Sequence, residues 1–262
     1  LAELDVGRAD SFNESTFGVG SELTVEFKNS SRQITTAVSD VNVHRIRLTD
    51  DSSETDTAEA LTFNTFYEGS QGDSIQTDLF MDLTVSKNGI DRDVSYISED
   101  ESSHRFYIRP SWAEYEIRTA SDDLIQYEKS DGNGVLRSYF FPVREEISSS
   151  VTEVPLLNIN KSETSRISFE VTDSSGAPAD GVVCRVDRKF PGTGQSKTVF
   201  MIKTGSEGNT ESFAEVNEIY YRFTCYEDGE VVDVLSDQIM NNPMRLRLGE
   251  EDRESSLNYN NQ

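Results

Sequence analysis

The most specific chemistry in the sequence is the pairing of its two cysteines, Cys184 and Cys225. Each lies in a segment where apolar residues alternate with polar ones, and Cys184 shares its strand face with Val182 and Val186. Alternate side chains of a strand lie on the same face, so both thiols should point into one core. Oxidation would close a loop of about 41 residues and indicate an extracellular setting. The alternative is two reduced, buried cysteines that act as small hydrophobic side chains.

The residues that could support catalysis are few. The chain has two histidines, His44 in a predicted strand and His104 in a predicted polar loop, and neither lies in a recognisable nucleophile motif. We therefore expect a protein that is not an enzyme. The alternative is a glycan-processing site built from two carboxylates about 5 to 9 Å apart. Because the chain has 48 acidic residues, no particular pair can be selected from the sequence.

Metal binding is expected only through oxygen ligands, because histidines and cysteines are too few and too scattered for a zinc site. Two acidic loops could hold a structural Ca²⁺, although neither completes the calcium-loop pattern. Their candidate ligands are Asp50, Asp51, Glu54 and Asp56 in one loop, and Asp131 and Asn133 in the other. A solvated acidic loop is the simpler interpretation of both, so the prediction is no cofactor, with structural Ca²⁺ as the alternative.

A group of aromatic and basic residues could form a contact surface for protein or carbohydrate. The candidates are Trp112, Tyr107, Arg109 and Tyr139. Strand periodicity offers a competing explanation for this region, because it assigns the neighbouring residues Phe106 and Tyr115 to a core.

Charge excludes some classes of partner. The chain carries 48 acidic residues against 24 Lys and Arg, a net charge of −24, which repels nucleic acid and anionic membranes. Only 7 of the 24 basic residues are Lys. An acidic surface poor in Lys suits concentrated salt, where the Debye length is about 3 Å at 1 M. The chain is thus expected to be halophilic, or else an ordinary acidic extracellular or phage protein.

The elements that would position these residues are strands. Apolar and polar residues alternate in segments 23–27, 79–85 and 113–117, the period of a half-buried strand. Asn88 and Gly89 predict a hairpin turn after the second of these. No segment has a convincing amphipathic helical period.

Polar stretches between the strands predict loops and a domain junction. Segments 49–59 and 98–105 are rich in residues that favour turns and predict long surface loops. Segment 144–165 predicts a connection with a short strand at its boundary, which sets a junction near residue 160. The last residues, 250–262, predict a flexible acidic tail. No segment approaches the roughly 18 apolar residues of a membrane span, so any anchor would lie beyond this tail.

The segment after the junction contains closely spaced strand patterns and resembles a known family. It reads "ISFEVTDSSGAPADGVVCRVDR", then "TVFMIKTGSEGNTESF", then "YYRFTCYEDGEVV". This order, with Asp173, Gly176, Pro178 and Gly181 in the first turn, resembles the carboxypeptidase-regulatory or transthyretin-like β-sandwich over residues 163–248. The third motif departs from the family pattern, because Gly205 replaces the usual Asp. The tyrosine-rich strand before the "DGE" turn also resembles domains of surface and virion proteins of archaea and their viruses.

Together these patterns predict an all-β protein with two β-sandwich domains in tandem. The domains are residues 1–160, a sandwich or jelly-roll-like unit, and residues 161–249, a transthyretin-like or Ig-like sandwich. The resemblance implies a structural role at a cell or virion surface, as a spike, fibre, adhesin or assembly subunit. The expected partners are proteins, including further copies of the chain, with a host-surface glycan or receptor as a further possibility. The alternative function is a surface protein that binds or processes glycans.

Overall fold

The structure is a computed structural model that describes residues 23–29, 32–38, 47–53, 56–70, 72–87, 90–109, 111–118, 124–190, 194–216 and 219–249. Contacts divide the chain into two compact units, Leu1–Arg45 and Ile46–Gln262. The smaller unit contains one antiparallel hairpin of β1 (Leu23–Asn29) and β2 (Arg32–Val38).

The larger unit is built from strands that follow one another through short connections. Their bounds are β3 (Arg47–Thr49), β4 (Ala58–Tyr67), β5 (Thr77–Lys87), β6 (Ile90–Glu101), β7 (Ser103–Arg109), β8 (Tyr115–Arg118), β9 (Leu124–Lys129), β10 (Arg137–Tyr139), β11 (Glu145–Ile147), β12 (Thr152–Asn158), β13 (Ser165–Thr172), β14 (Val183–Phe190), β15 (Gln195–Lys203), β16 (Asn209–Ala214), β17 (Tyr220–Glu227), β18 (Glu230–Ile239) and β19 (Met244–Arg247). Within the described part of the chain, the only helical element is a 3-10 turn at Lys161–Glu163. The predicted all-β class is confirmed.

The described strands of the larger unit form three sheets. A ten-stranded sheet follows the order β11-β8-β5-β9-β10-β15-β14-β17-β18, and β6 pairs with the other side of β5. A four-stranded sheet has the order β12-β4-β7-β3, and a three-stranded sheet has the order β16-β13-β19. Both smaller sheets pack against the large one, so the two sandwiches share a sheet.

Two apolar cores lie between these sheets. The first contains side chains of the four-stranded sheet, such as Leu61 and Phe106, with Met81 and Ile117 of the large sheet. The second contains Phe169 and other residues of the three-stranded sheet, together with residues of β14, β15 and β17. The division between the cores falls close to the predicted junction near residue 160. The large sheet nevertheless crosses it, because Ser138 of β10 pairs with Met201 of β15. The domain limits themselves stay predictions, and residues 250–262 lie outside the described residues.

The sequence-based loop at 98–105 is wrong, because this segment consists of the end of β6 and the start of β7. Its polar composition reflects the position of β6, which pairs only with β5 among the described strands and exposes alternate side chains. The register of β5 and β6 shifts by one residue between Thr77 and Leu79, and Asp100 adopts a positive φ of 57° nearby. A β-bulge of this kind places two residues opposite one and disturbs the polar–apolar alternation.

Seven strands, β13 to β19, form the second sandwich, and hydrogen bonds hold its two turn motifs in place. The carboxylate of Asp173 accepts hydrogen bonds from the backbone N–H groups of Ser175 and Ala177, at 2.8 and 2.9 Å. The second motif ends at Gly208, whose carbonyl accepts from the Val171 N–H at 2.8 Å. The residues on which the family resemblance rests therefore build turns.

Gly208 should be the least replaceable turn residue. Its φ is +68°, and a Cβ atom there would lie 2.4 Å from the Val171 carbonyl oxygen. We expect Gly208→Ala to lower the free energy of unfolding by about 1 to 2 kcal/mol for the left-handed backbone and about 1 to 3 kcal/mol more for the clash. Gly181→Ala is the matched control, because its φ is +70° with no atom within 4 Å. Urea denaturation measures both; equal losses in the two variants would disprove the steric explanation.

Candidate functional site

A buried ion network lies where the two cores meet. Glu68 follows β4 directly, and its Oε2 lies 2.7 Å from Arg137 Nη2 of β10. Its Oε1 accepts a hydrogen bond from Arg188 Nη1 of β14, also at 2.7 Å. The side chains of Glu68 and Arg137 are each only 1% exposed. A carboxylate and a guanidinium are almost never fully buried unless they are paired, and here each neutralises the other.

Arg137 also joins the two layers of the sandwich through backbone groups. Its Nη1 donates to the carbonyl oxygen of Leu157 in β12 and to that of Val199 in β15, both at 2.8 Å. The hydroxyl of Tyr127 lies 3.1 and 3.4 Å from the same two carbonyl oxygens and donates its single proton between them. Since β12 belongs to the four-stranded sheet and β15 to the ten-stranded sheet, one side chain links both.

Arg188 extends the network to the third sheet. Its Nη1 lies 2.9 Å from Glu215 Oε2, in the segment that follows β16. The guanidinium also packs over the ring of Phe190, 5.0 Å from its centroid. Two cations and two carboxylates thus meet at elements from all three sheets.

The electrostatics keep the network charged. Burial alone would raise the pKa of Glu68, but Arg137 and Arg188 outweigh it and hold that pKa below its usual value. Burial raises the pKa of Tyr127, so its hydroxyl stays protonated and able to donate. A permanently ionised carboxylate between two arginines has no proton to exchange near neutral pH. The arrangement is suited to holding strands together.

Sequence reasoning missed this network. Val135, Arg137 and Tyr139 alternate along one face of the chain, and the apolar neighbours on either side indicate that the face is buried. An arginine on the core face of a strand was the available signal, because it requires a buried partner. That partner, Glu68, lies next to Gly69 and resembles an ordinary turn residue.

The structure joins Cys184 and Cys225 by a disulfide with an S–S distance of 2.06 Å. The two residues are direct neighbours across β14 and β17 within one sheet, with Cα atoms 4.0 Å apart, and both are fully buried in the second core. The loop that they close has a sequence separation of 41 residues. In the chain-entropy account, such a loop contributes about 4 kcal/mol of stability.

The structure divides the predicted contact surface. Trp112 is 65% exposed, and Lys87 Nζ lies 5.6 Å from the centroid of its ring. Tyr107 and Arg109 are half-buried on β7. Tyr139 instead packs against Phe63, with ring centroids 6.4 Å apart, at the edge of the first core. Tyr139 therefore belongs to the aromatic packing of the core, on the opposite side of β10 from exposed Leu136 and half-buried Ser138.

The candidate calcium loops are held by their own hydrogen bonds. Asp51 Oδ1 accepts from the Ser53 N–H at 2.8 Å, and Asp131 Oδ1 accepts from the Asn133 N–H at 2.9 Å. The other oxygen of Asp131 lies 3.1 Å from Lys129 Nζ. Among the described residues, which exclude Glu54, no group of three His, Cys, Asp or Glu side chains is arranged to hold a metal ion.

His104 lies in β7, so the predicted loop position is wrong. Its ring nitrogens lie 2.9 Å from Thr77 Oγ1 and 2.8 Å from Ser98 Oγ. Burial lowers its pKa to about 4, against a smaller opposing effect of Asp78. The imidazole is therefore a neutral part of the packing at physiological pH. His44 lies outside the described residues.

No protein-family model matches the chain, and no curated protein matches it either. Among solved structures, the chain is similar to the Bacillus anthracis TIE protein, with 12% identity and a TM-score of 0.24 over 87% of this chain and 40% of that one. It is also similar to a streptococcal ancillary pilin, with 8% identity and a TM-score of 0.27 over 87% and 73% of the two chains. The shaft pilin spaA of Lactobacillus rhamnosus GG gives 12% identity and a TM-score of 0.25 over 74% and 97%.

These scores are too low to assign a fold or a function to this chain. The chain spans less than half of the Bacillus anthracis protein. No helix in the described part of the chain is long and apolar enough to cross a membrane.

Removing the charge of Glu68 should be far more costly than removing that of an exposed carboxylate. Glu68→Gln leaves Arg137 and Arg188 without their shared anion in a buried site, so we expect the free energy of unfolding to fall by about 3 to 5 kcal/mol. Glu170→Gln is the matched control, because the Glu170–Arg245 pair has the same 2.7 Å distance on the exposed surface. Its loss should be about 0 to 1 kcal/mol. Similar losses for the two variants, measured by denaturant unfolding, would refute the role of the network.

His104 should make stability depend on pH in a defined window. The unfolded chain protonates this imidazole below pH about 6.5, whereas the folded chain does so only near pH 4. The free energy of unfolding should therefore fall by roughly 3 kcal/mol as pH decreases from 6.5 to 4. His104→Gln removes this contribution, so the variant should have the shallower pH dependence. Parallel curves for the two proteins would contradict the prediction.

Proposed function

We propose that the chain is a rigid structural module of an extracellular, cell or virion surface, where it serves as a subunit of a spike, fibre or adhesin. The observation that carries the proposal is the buried Glu68–Arg137–Arg188 network, which ties both sandwiches to one shared sheet. A module that presents loops or transmits force must keep its parts in fixed register. Here the two cores cannot separate without breaking buried ion pairs.

Two further features support the extracellular location and an adaptation to concentrated salt. A disulfide between Cys184 and Cys225 is stable in an oxidising compartment and rare in a reducing cytosol. The net charge of −24 suits a protein that remains soluble in concentrated salt, and we include halophilic adaptation in the proposal. A melting temperature that rises with NaCl concentration is the expected sign of that adaptation.

We also propose that residues 163–248 belong to the carboxypeptidase-regulatory or transthyretin-like sandwiches. The source that we propose for the chain is an archaeon or a virus. The turn roles of Asp173 and Gly208 support the first part, since they explain why those residues occur at those positions. The role proposed for this domain is structural, as a spacer or assembly unit that contacts protein partners.

The experiment that tests the function locates the chain and its thiol state together. Source material is treated with N-ethylmaleimide before lysis, and surface structures or particles are separated from the soluble contents. Because both cysteines are buried in the fold, each fraction is then denatured in fresh N-ethylmaleimide without reductant, and the intact mass of the chain is measured. The proposal predicts many copies in the surface or particle fraction, with neither cysteine alkylated until a reductant is added. A chain found in the cytoplasmic fraction with both cysteines alkylated would overturn it.

A glycan-binding surface protein is the second candidate, because one observation favours it. Trp112 is the only Trp of the chain, yet it is 65% exposed. An exposed indole beside Lys87 is a suitable platform for a sugar ring. A glycan array probed with the native protein and with Trp112→Ala tests this, and only binding that is lost in the variant supports it. Hydrolysis of glycans by paired carboxylates stays an alternative prediction.

A further inference from the structure

A third apolar cluster lies outside both cores. Phe140, Val183 and Met201 are buried together, with Leu124 and Tyr139 packed against them. They adjoin a cleft of about 410 Å³. The lining residues that matter here are Leu136, Phe140 and Lys203 on one side, and Arg166, Glu211 and Phe213 on the other. One wall is therefore mainly apolar, and the other is β16.

β16 offers the backbone groups of an open strand edge to this cleft. On β13, the Ser168 N–H donates to Asn242 Oδ1 and the Arg166 carbonyl accepts from Asn242 Nδ2, on the side of β19. Arg166 lies opposite Phe213, and Ser168 lies opposite Glu211. Because the backbone groups of Arg166 and Ser168 point to the other side of β13, these two pairs do not exchange hydrogen bonds across the ladder. The N–H and C=O groups of Glu211 and Phe213 therefore point away from β13. Among the described strands, β16 pairs only with β13.

The charge of the cleft differs from that of the whole protein. Two cations, Arg166 and Lys203, line it with one carboxylate, Glu211, in a chain whose net charge is −24. Glu211 forms an ion pair with Arg166, and Lys203 Nζ lies 5.8 Å from the ring centroid of Phe140. An extended segment that carries apolar residues on one face and carboxylates on the other fits both the wall and the charge.

We propose that residues 1–6 of a second copy of this chain bind in the cleft as a strand added to β16. Ala2, Leu4 and Val6 alternate with Glu3 and Asp5, so an extended backbone would place these three apolar side chains on one face and both carboxylates, with Leu1, on the other. The segment has six residues, as does β16. This inference rests on the proposed role as an assembly subunit, and it names the contact through which copies would join.

Peptide binding tests the contact directly. The probe is a synthetic peptide of residues 1–8 with fluorescein at its C-terminus, and the receptor is the chain lacking residues 1–6. Saturable binding by fluorescence anisotropy is expected, and a peptide with Leu4→Asp should bind at least tenfold more weakly. If the parent peptide does not bind, the proposal is wrong.

Two pairs of variants separate the cleft from general effects on folding. Glu211→Pro removes the outward N–H, a change that an edge strand tolerates, while Glu211→Ala removes the same carboxylate and keeps the N–H. The Pro variant should bind the peptide about tenfold more weakly than the Ala variant. Leu136→Glu should also weaken binding, whereas Val231→Glu, at another exposed apolar position, should not. Equal affinities within either pair would overturn the proposal.

The mass of the full chain in solution decides which copy supplies the segment. Sedimentation equilibrium should show association that is lost in Glu211→Pro and retained in Glu211→Ala. A full chain that stays monomeric and fails to bind the added peptide would mean that residues 1–6 occupy their own cleft, and the proposal would fall. The surface location and the thiol state of the chain are measured independently, so this failure would leave the proposed function standing.

Discussion

The shared position of Glu68 between Arg137 and Arg188 is the constraint on which the rest of the larger unit depends. Burying a carboxylate and two guanidiniums costs several kcal/mol for each ion, and that cost is recovered only with good pairing geometry. The strands that carry these groups come from different sheets, so the geometry exists only when the sheets are assembled together. The network therefore favours one arrangement of the two sandwiches over alternatives that bury similar apolar area.

The interior strands and the edge strands of the larger unit have different roles. The interior strands and their cores fix the shape, while the disulfide reinforces the pairing of β14 and β17 inside the second core. Among the described strands, those at the edges of the sheets include β6, β18 and β16. Edge β6 exposes the acidic residues Asp91, Asp93 and Glu99, which discourage pairing with another strand of the same kind. Edge β16 instead borders a cleft lined by both apolar and polar residues, including two cations.

Local periodicity predicted much of this fold. The alternation around Leu79, Met81 and Leu83 identified β5, and β5 pairs with β6 as far as Lys87 and Ile90. The predicted turn residues Asn88 and Gly89 themselves lie outside the described residues. The strand that contains His104 was missed, because a bulge and an exposed edge give that segment a polar composition that favours a loop.

Contacts between residues that are far apart in the chain could not be predicted from the sequence. Glu68 follows a strand of the four-stranded sheet and Arg137 lies in a strand of the ten-stranded sheet, and nothing local to either residue specifies the other. The position of Tyr139 in the core depended on the same long-range packing. The two cysteines could be paired because the chain has no others, although the sequence left open whether their strands would face each other or lie side by side.

Differential scanning calorimetry of the intact, oxidised chain tests most directly whether the network makes the two sandwiches one cooperative body. The account predicts a single transition for the larger unit, whose calorimetric and van't Hoff enthalpies agree. Two separate transitions, with the first core melting independently of the second, would contradict it.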